Sequence, residues 1–153
     1  GLGGGVFPMA ALITNENLDI VEDKALGHYT HEKSSVGCAA ALATIDCLIE
    51  DGLLHNAVTL GKSGLEQLEA LKLKHPIIHE VRGLGLFYGI DLKLNNQPAS
   101  DQADAILYHS LSNGLSYKVG GGSILTLCPP LIINNDELTQ AFGIIENGIN
   151  SLH

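Results

Sequence analysis

Between Leu53 and Leu92 the hydrophobic period changes once, from helical to strand-like, and that change constrains the fold of this chain more than any other feature. Leu54, Ala57, Val58, Leu65, Leu68 and Leu71 recur at helical spacing, with Glu66, Glu69 and Lys72 on the opposite side, which predicts an amphipathic helix over 53–74. Pro76 ends it, because the residue before a proline is pushed out of the helical region. Ile77–Val81 and Leu84–Leu92 then run apolar or alternate on either side of Arg82-Gly83, predicting two strands joined by a bend at that dipeptide. A long helix feeding a pair of strands must bury one helix face on one sheet face, so layered packing of mixed type follows.

The rest of the chain repeats that alternation. Val6–Thr14 is a short apolar run behind the glycine cluster Gly1-Leu2-Gly3-Gly4-Gly5 and reads as a buried strand; Asn15–Asp23 reads as a short helix capped by Asn15 or Asn17. Leu26–Ser35 is polar and aperiodic, the kind of loop that carries chemistry. Val36–Ile49 is apolar on nearly every face, predicting a helix packed on several sides, capped by Ser34 or Ser35 and stopped at Gly52. Asn95–Ser100 is a turn-rich connection, Asp101–Ser112 a helix stopped at Asn113-Gly114, and Leu115–Val119 and Ser123–Leu127 short strands around Gly120-Gly121-Gly122. A last amphipathic helix, Asp136–Leu152, is lined by Leu138, Phe142, Ile145 and Ile149 with Asn135 or Asp136 as cap. The fold class is α/β or α+β.

Composition narrows the function classes. The chain has 153 residues, 45% of them hydrophobic, enough for a core and too apolar for a disordered tail. Lys and Arg total 8 against 17 Asp and Glu, with no basic run to follow a phosphate backbone, so nucleic acid is not an expected partner. No apolar stretch reaches the roughly 18 residues that span a bilayer; the most apolar one is interrupted by Thr44 and Asp46. Cys38, Cys47 and Cys128 are odd in number and lack CxxC spacing, which fits a reducing, cytoplasmic setting and no zinc ribbon. His28 and His31 lie three apart without a carboxylate to complete a metal triad, and Cys128, beside Pro129, reads as a small buried hydrophobe.

Three stretches in order, GLGGGVFPMAA at 1–11, YTHEKSSVGCAAALAT at 29–44, and VRGLGLFYGIDL at 81–92 together with CPPLII at 128–133, resemble the class III aminotransferase family of pyridoxal-phosphate (PLP) enzymes. The resemblance implies the fold type I architecture, with residues 1–48 ending the PLP-binding large domain and 49–153 forming the α+β small domain. It also implies a homodimer with the cofactor at the interface. In that family the PLP-binding lysine stands immediately before the glycine cluster, so the chain starts just after it and no catalytic residue falls inside the chain. Glycines there allow the backbone to approach the cofactor closely. Thr30 matches the threonine whose hydroxyl meets the cofactor phosphate, a neutral donor to an anionic oxygen, with Tyr29 beside it.

The loop after Thr30 departs from the family pattern: His31-Glu32-Lys33-Ser34 replaces what is commonly an aromatic, two glycines and an asparagine. Lys33 is therefore a candidate contact for an anionic substrate group, or a solvated loop charge. Arg82, the single arginine, matches a largely architectural residue of the family, which implies internal hydrogen bonding ahead of a contact with substrate.

The most informative departure is Thr126. The family places an arginine three residues before the Pro-Pro-Leu turn, here Pro129-Pro130-Leu131, where its planar fork grips a substrate carboxylate. Losing such a charged pair costs about 2 to 5 kcal/mol of binding. The resemblance then leans from transamination toward members that eliminate ammonia or phosphate from amino-phosphonates or phosphorylated amines, with Lys118 as a candidate contact for the anionic head group. A third reading is a non-catalytic phosphate-binding module built on Gly61-Lys62-Ser63; it is disfavoured because Asn56 stands where a P-loop needs its first glycine and the tripeptide lies inside a predicted helix.

Overall fold

The computed structural model describes residues 1–18, 20–21, 24 and 34–152. They divide into two compact units, Gly1–Gly52 and Leu53–His153.

In the first unit the glycine cluster folds into consecutive turns, Gly4 N–H donating to Gly1 O at 3.0 Å and Val6 N–H to Gly3 O at 3.1 Å. Gly4 and Gly5 sit at φ +63° and +78°, where a side chain is strained. Val6–Thr14 is not the buried strand its composition suggests: it lies outside any strand, and Val6, Leu12 and Ile13 are 88%, 92% and 94% exposed. An extended run needs a neighbouring strand to satisfy its backbone, and the described residues of this unit contain none. Of the helix expected over Asn15–Asp23 the described part is a single 3₁₀ turn, Glu16–Leu18, opened by Asn15 Oδ1 accepting from Asn17 N–H at 2.9 Å.

Helix α1 (Ser35–Glu50) starts where Ser34 Oγ accepts from Gly37 N–H at 3.3 Å, and stops ahead of Gly52 at φ +65°. It buries Gly37 and Ala41. Gly37 carries the contact with the preceding segment: a Cβ there would stand 2.7 Å from both Met9 Cε and Phe7 Cε1. The expected packing on several sides is not found, since Val36, Leu42 and Ile49 are exposed.

The second unit is a sheet with helices on one face. Helix α2 (Leu53–Lys74) leads into β1 (Ile78–Leu84) and β2 (Phe87–Leu94). Short β3 (Gln97–Pro98) follows across Asn95-Asn96, both at positive φ as a two-residue hairpin turn requires. Helix α3 (Ser100–Ser112), strands β4 (Lys118–Gly120) and β5 (Ile124–Leu127) and helix α4 (Asn135–Asn150) complete the unit. The main path is β1-β2-β5-β4, antiparallel throughout.

Two sequence expectations shift. The bend between β1 and β2 is at Gly85-Leu86, not Arg82-Gly83, which lie inside β1 opposite Gly89 and Tyr88. Gly85 takes φ +56° at the first position of a two-residue loop, which suits the strand twist, and Leu86 is buried although it sits in the turn. The cap of α4 is Asn134, whose side chain accepts from Glu137 N–H at 2.9 Å while Glu137 Oε2 accepts from Asn134 N–H at 3.0 Å, a reciprocal capping box.

The core lies between the inner sheet face, with Val81, Tyr88, Ile90, Leu125 and Leu127, and the helices, with Leu68, Leu71, Ile106, Leu138, Phe142 and Ile145. The buried stripe of α2 is rotated from the expected one: Leu54 and Val58 are exposed, while Gly61 and Gly64 are buried beside Leu68 and Leu71. These glycines let the helix lie directly on the hairpin. A Cβ at Gly61 would stand 2.6 Å from Gly85 O, and one at Gly64 would collide with the Tyr88 hydroxyl, which donates to Leu60 O at 3.1 Å.

Candidate functional site

The sheet gathers polar and charged residues on the face away from the helices, because strand pairing places opposed residues on one face. Register aligns Val81, Ile90, Leu125 and Val119 as an inner row across all four strands. The adjacent outer row is Arg82, Gly89, Thr126 and Lys118, one residue from each strand, and the next is Glu80, Asp91, Ile124 and Gly120. A hollow of ≈ 510 Å³ lies over this face, bordered by Arg82, Phe87, Gly89, Gly120, Ile124 and Thr126.

Arg82 is not the internal hydrogen-bonding residue that its place in the sequence implies. It stands on the open face with its side chain 48% exposed, and its ion pair is local, Nη1 to Glu80 Oε2 at 3.2 Å. The side chain lies over Gly89: its Cγ and Nε are each 3.6 Å from where a Cβ at that position would be. Thr126 Oγ1 is turned the other way, 3.4 Å from a Cβ position on Gly120 and 3.5 Å from Ile124 O. Lys118 is exposed on the outermost strand, directly opposite Thr126. Nearby acid groups are engaged within the sheet, Asp91 with Lys93 at 3.8 Å and as acceptor from Ser123 Oγ at 3.3 Å.

Two of the residues singled out from sequence, Lys118 and Thr126, are thus brought together as a cross-strand pair. Thr30, Tyr29 and Lys33 lie outside the described residues. Cys128, expected to be buried, is exposed just beyond β5, which ends at the buried Leu127. Sequence reasoning also missed Asn56: its side-chain amide donates to Leu131 O at 2.7 Å and to Ile133 O at 3.1 Å, tying the Pro-Pro-Leu turn to the first turns of α2. That clamp fixes the chain five and seven residues beyond Thr126. Gly61-Lys62-Ser63 is in the body of α2, with Gly61 spent on the contact with Gly85, so this tripeptide does not form a phosphate loop.

Buried hydroxyls elsewhere serve the core. Burial raises the Tyr88 phenol above its ordinary range, and burial raises that of Tyr117 despite the opposing hydrogen bond with Ser110 at 3.1 Å.

The chain matches the family model described as "Aminotransferase class-III" over residues 1–149. It is 42% identical over 152 residues to a (R)-1-hydroxy-2-aminoethylphosphonate ammonia-lyase from Vibrio splendidus, covering 97% of this chain and 32% of that protein. Among solved structures it resembles an acetylornithine aminotransferase from Elizabethkingia anophelis, with TM-score 0.84, 32% identity, 99% of this chain and 39% of the other covered. A phospholyase from Arthrobacter in complex with phosphoethanolamine superposes with TM-score 0.73 and 28% identity over 77% of this chain and 29% of the other. The chain spans about a third of the length of the curated relatives it matches. The architecture of these neighbours is the PLP fold type I anticipated from the glycine cluster and the Pro-Pro-Leu turn, and PLP is their coenzyme. By sequence and by fold, this chain belongs to the class III aminotransferase family.

Proposed function

We propose that the protein carrying this chain is a PLP-dependent lyase that releases ammonia from an amine bearing a phosphonate or phosphate group. The observation that carries this reading is Thr126: on the open sheet face, where the family's transaminases hold a carboxylate-gripping arginine, this chain has a hydroxyl opposite a lysine. The 42% identity to an ammonia-lyase acting on an amino-phosphonate supports the same choice. Transamination is the second reading, supported by the aminotransferases among the relatives.

What the chain offers the coenzyme is bare backbone at Gly5, at φ +78° with nothing within 4 Å of its Cβ position, on a turn whose Gly4 packs against Thr44 Oγ1. Thr30, supported by Tyr29, donates to the phosphate, and residues 1–48 belong to the part that holds it. PLP when bound withdraws electrons from the amine-bearing carbon. This chain's residues act on the far end of the substrate: Lys118 and Thr126 hold its anionic group, with Lys33 a further contact, so that the scissile bonds stay oriented. The reaction removes a proton from the amine-bearing carbon and expels the neighbouring hydroxyl or phosphate with its electron pair. Water then hydrolyses the resulting enamine to a carbonyl compound and ammonia. The enzyme works as a cytoplasmic homodimer.

The test is product analysis with the full-length, PLP-loaded protein. Ammonia release from (R)-1-hydroxy-2-aminoethylphosphonate or phosphoethanolamine without any keto acid is the expected outcome. Amine consumption that requires a keto acid, with its conversion to an amino acid, would instead make the protein a transaminase.

A further inference from the structure

We propose that Arg82, whose side chain lies over Gly89, forms with Lys118 a two-cation cradle on the outer sheet face that takes a tetrahedral phosphonate or phosphate dianion and discriminates against carboxylates. This rests on the lyase reading above and assigns the specificity to named side chains.

The four residues occupy one row across β1, β2, β5 and β4. With strands about 4.8 Å apart, the backbones of Arg82 and Lys118 are separated by roughly 14 Å, a span that two long side chains can close from both ends over a small ligand. Gly89 makes the closure possible. Any Cβ there would stand 3.6 Å from Arg82 Cγ and Nε, in contact with the stem of the arginine, and every larger side chain would lift the guanidinium off the sheet. Ion pairing with Glu80 engages Nη1 at 3.2 Å, which anchors one edge of the fork of an arginine that borders the hollow and has further donors to offer. Asp91, the other acid of this face, is held by Lys93 and Ser123.

The class of ligand follows from the donor set. A carboxylate is planar with a single charge, and one bidentate arginine fork matches it. A phosphonate or phosphate presents three oxygens carrying about −1.5 to −2 charge near neutrality, so it needs donors from more than one direction and more than one cation. Arg82 on one side, Lys118 on the other and the Thr126 hydroxyl between them provide that arrangement. The substitution of arginine by threonine at 126 is then an exchange of ligand geometry: an arginine in the middle of the row would fill the space a tetrahedral group needs.

The experiment uses the full-length, PLP-loaded protein and ethylphosphonate, which has no amine and cannot react with the coenzyme. Isothermal titration should give binding at least about tenfold tighter than for propionate. R82Q and K118Q should each weaken it about tenfold or more, and R82K should recover only part, since a lysine has no fork. T126R should invert the preference between the two ligands. K118Q alters an exposed position, so its result stands even if Arg82 variants fold poorly. Unchanged ethylphosphonate binding in K118Q and R82Q, in a protein that still releases ammonia from the hydroxy-aminophosphonate, would overturn the cradle and leave the lyase reading intact. A strict keto-acid requirement in the wild type would overturn both.

Discussion

The two units of this chain are of similar apolar content and opposite outcome. In Leu53–His153 the apolar residues of three helices meet the inner face of a sheet, and Leu68, Ile90, Ile106, Leu125 and Ile145 are completely buried. In Gly1–Gly52 a helix that is apolar on most sides buries only Gly37 and Ala41, and Leu42, Ile49, Leu12 and Ile13 are exposed. Hydrophobic residues generate stability only where a complementary face is supplied. The second unit supplies both faces within about a hundred residues; the described part of the first does not.

The largest test of this contrast pairs two truncations in the 153-residue chain. Ile145→Ala removes a fully buried side chain from between α4 and the sheet, and should destabilise the second unit by about 2–5 kcal/mol in urea unfolding. Leu42→Ala, at a position 63% exposed, should change stability by less than about 0.5 kcal/mol. Equal effects would break the comparison.

Gly61→Ala is expected next in size. Alanine favours a helix over glycine by about 1 kcal/mol, so an exposed site would gain stability. Here the added Cβ meets the Gly85 carbonyl at 2.6 Å, a backbone atom of a tight turn that cannot step aside, and overpacking of this kind costs about 1–3 kcal/mol or more. The net loss should appear as a lowered urea midpoint. A stabilised variant would show that α2 does not rest on the hairpin.

The same glycines mark where the sequence was hard to read. Period alone places α2, α3, α4 and strands β1, β2, β4 and β5 within a few residues, with Leu68, Leu71, Leu138, Phe142 and Ile145 recurring as a buried helix face must, whereas β3 falls in what reads as a turn-rich connection. Gly61 and Gly64 carry no hydropathy, so the period runs the stripe through Leu54 and Val58, which are exposed, as well as through Leu68 and Leu71, which are buried. At the hairpin, Arg82-Gly83 is the polar interruption and so resembles a bend, yet only at Gly85 does the backbone need positive φ. Val6–Thr14 misled for a different reason: composition reports that a run is apolar, not that a neighbouring strand exists to pair with it. At the site, Lys118 and Thr126 were each legible as departures or charges, whereas their alignment with Gly89 and Arg82 is a property of register, which no single strand encodes. Arg82 is the instructive case, since its family position pointed inward and its pairing put it outside.

The smallest effect concerns how α4 is held to the end of α2. Glu146 Oε1 accepts from His75 Nε2 at 3.2 Å and from Lys74 Nζ at 3.3 Å. The His75 hydrogen bond, helped by Lys74, draws the Glu146 carboxyl below its ordinary range against a smaller opposing desolvation. A carboxylate whose pKa is lower folded than unfolded contributes stability that is complete above its unfolded pKa and is lost as pH falls through the folded one. The contribution should therefore be present at neutral pH and fade on acidification below the usual carboxylate range. Because the pair is partly solvated, Glu146→Gln should cost no more than about 1 kcal/mol at pH 7 and nothing in strong acid. Urea midpoints of the two proteins compared across pH would show them converging as acid is added. A gap that persists unchanged into acid would mean that Glu146 stabilises through packing of its stem and that the charge contacts between α2 and α4 are incidental.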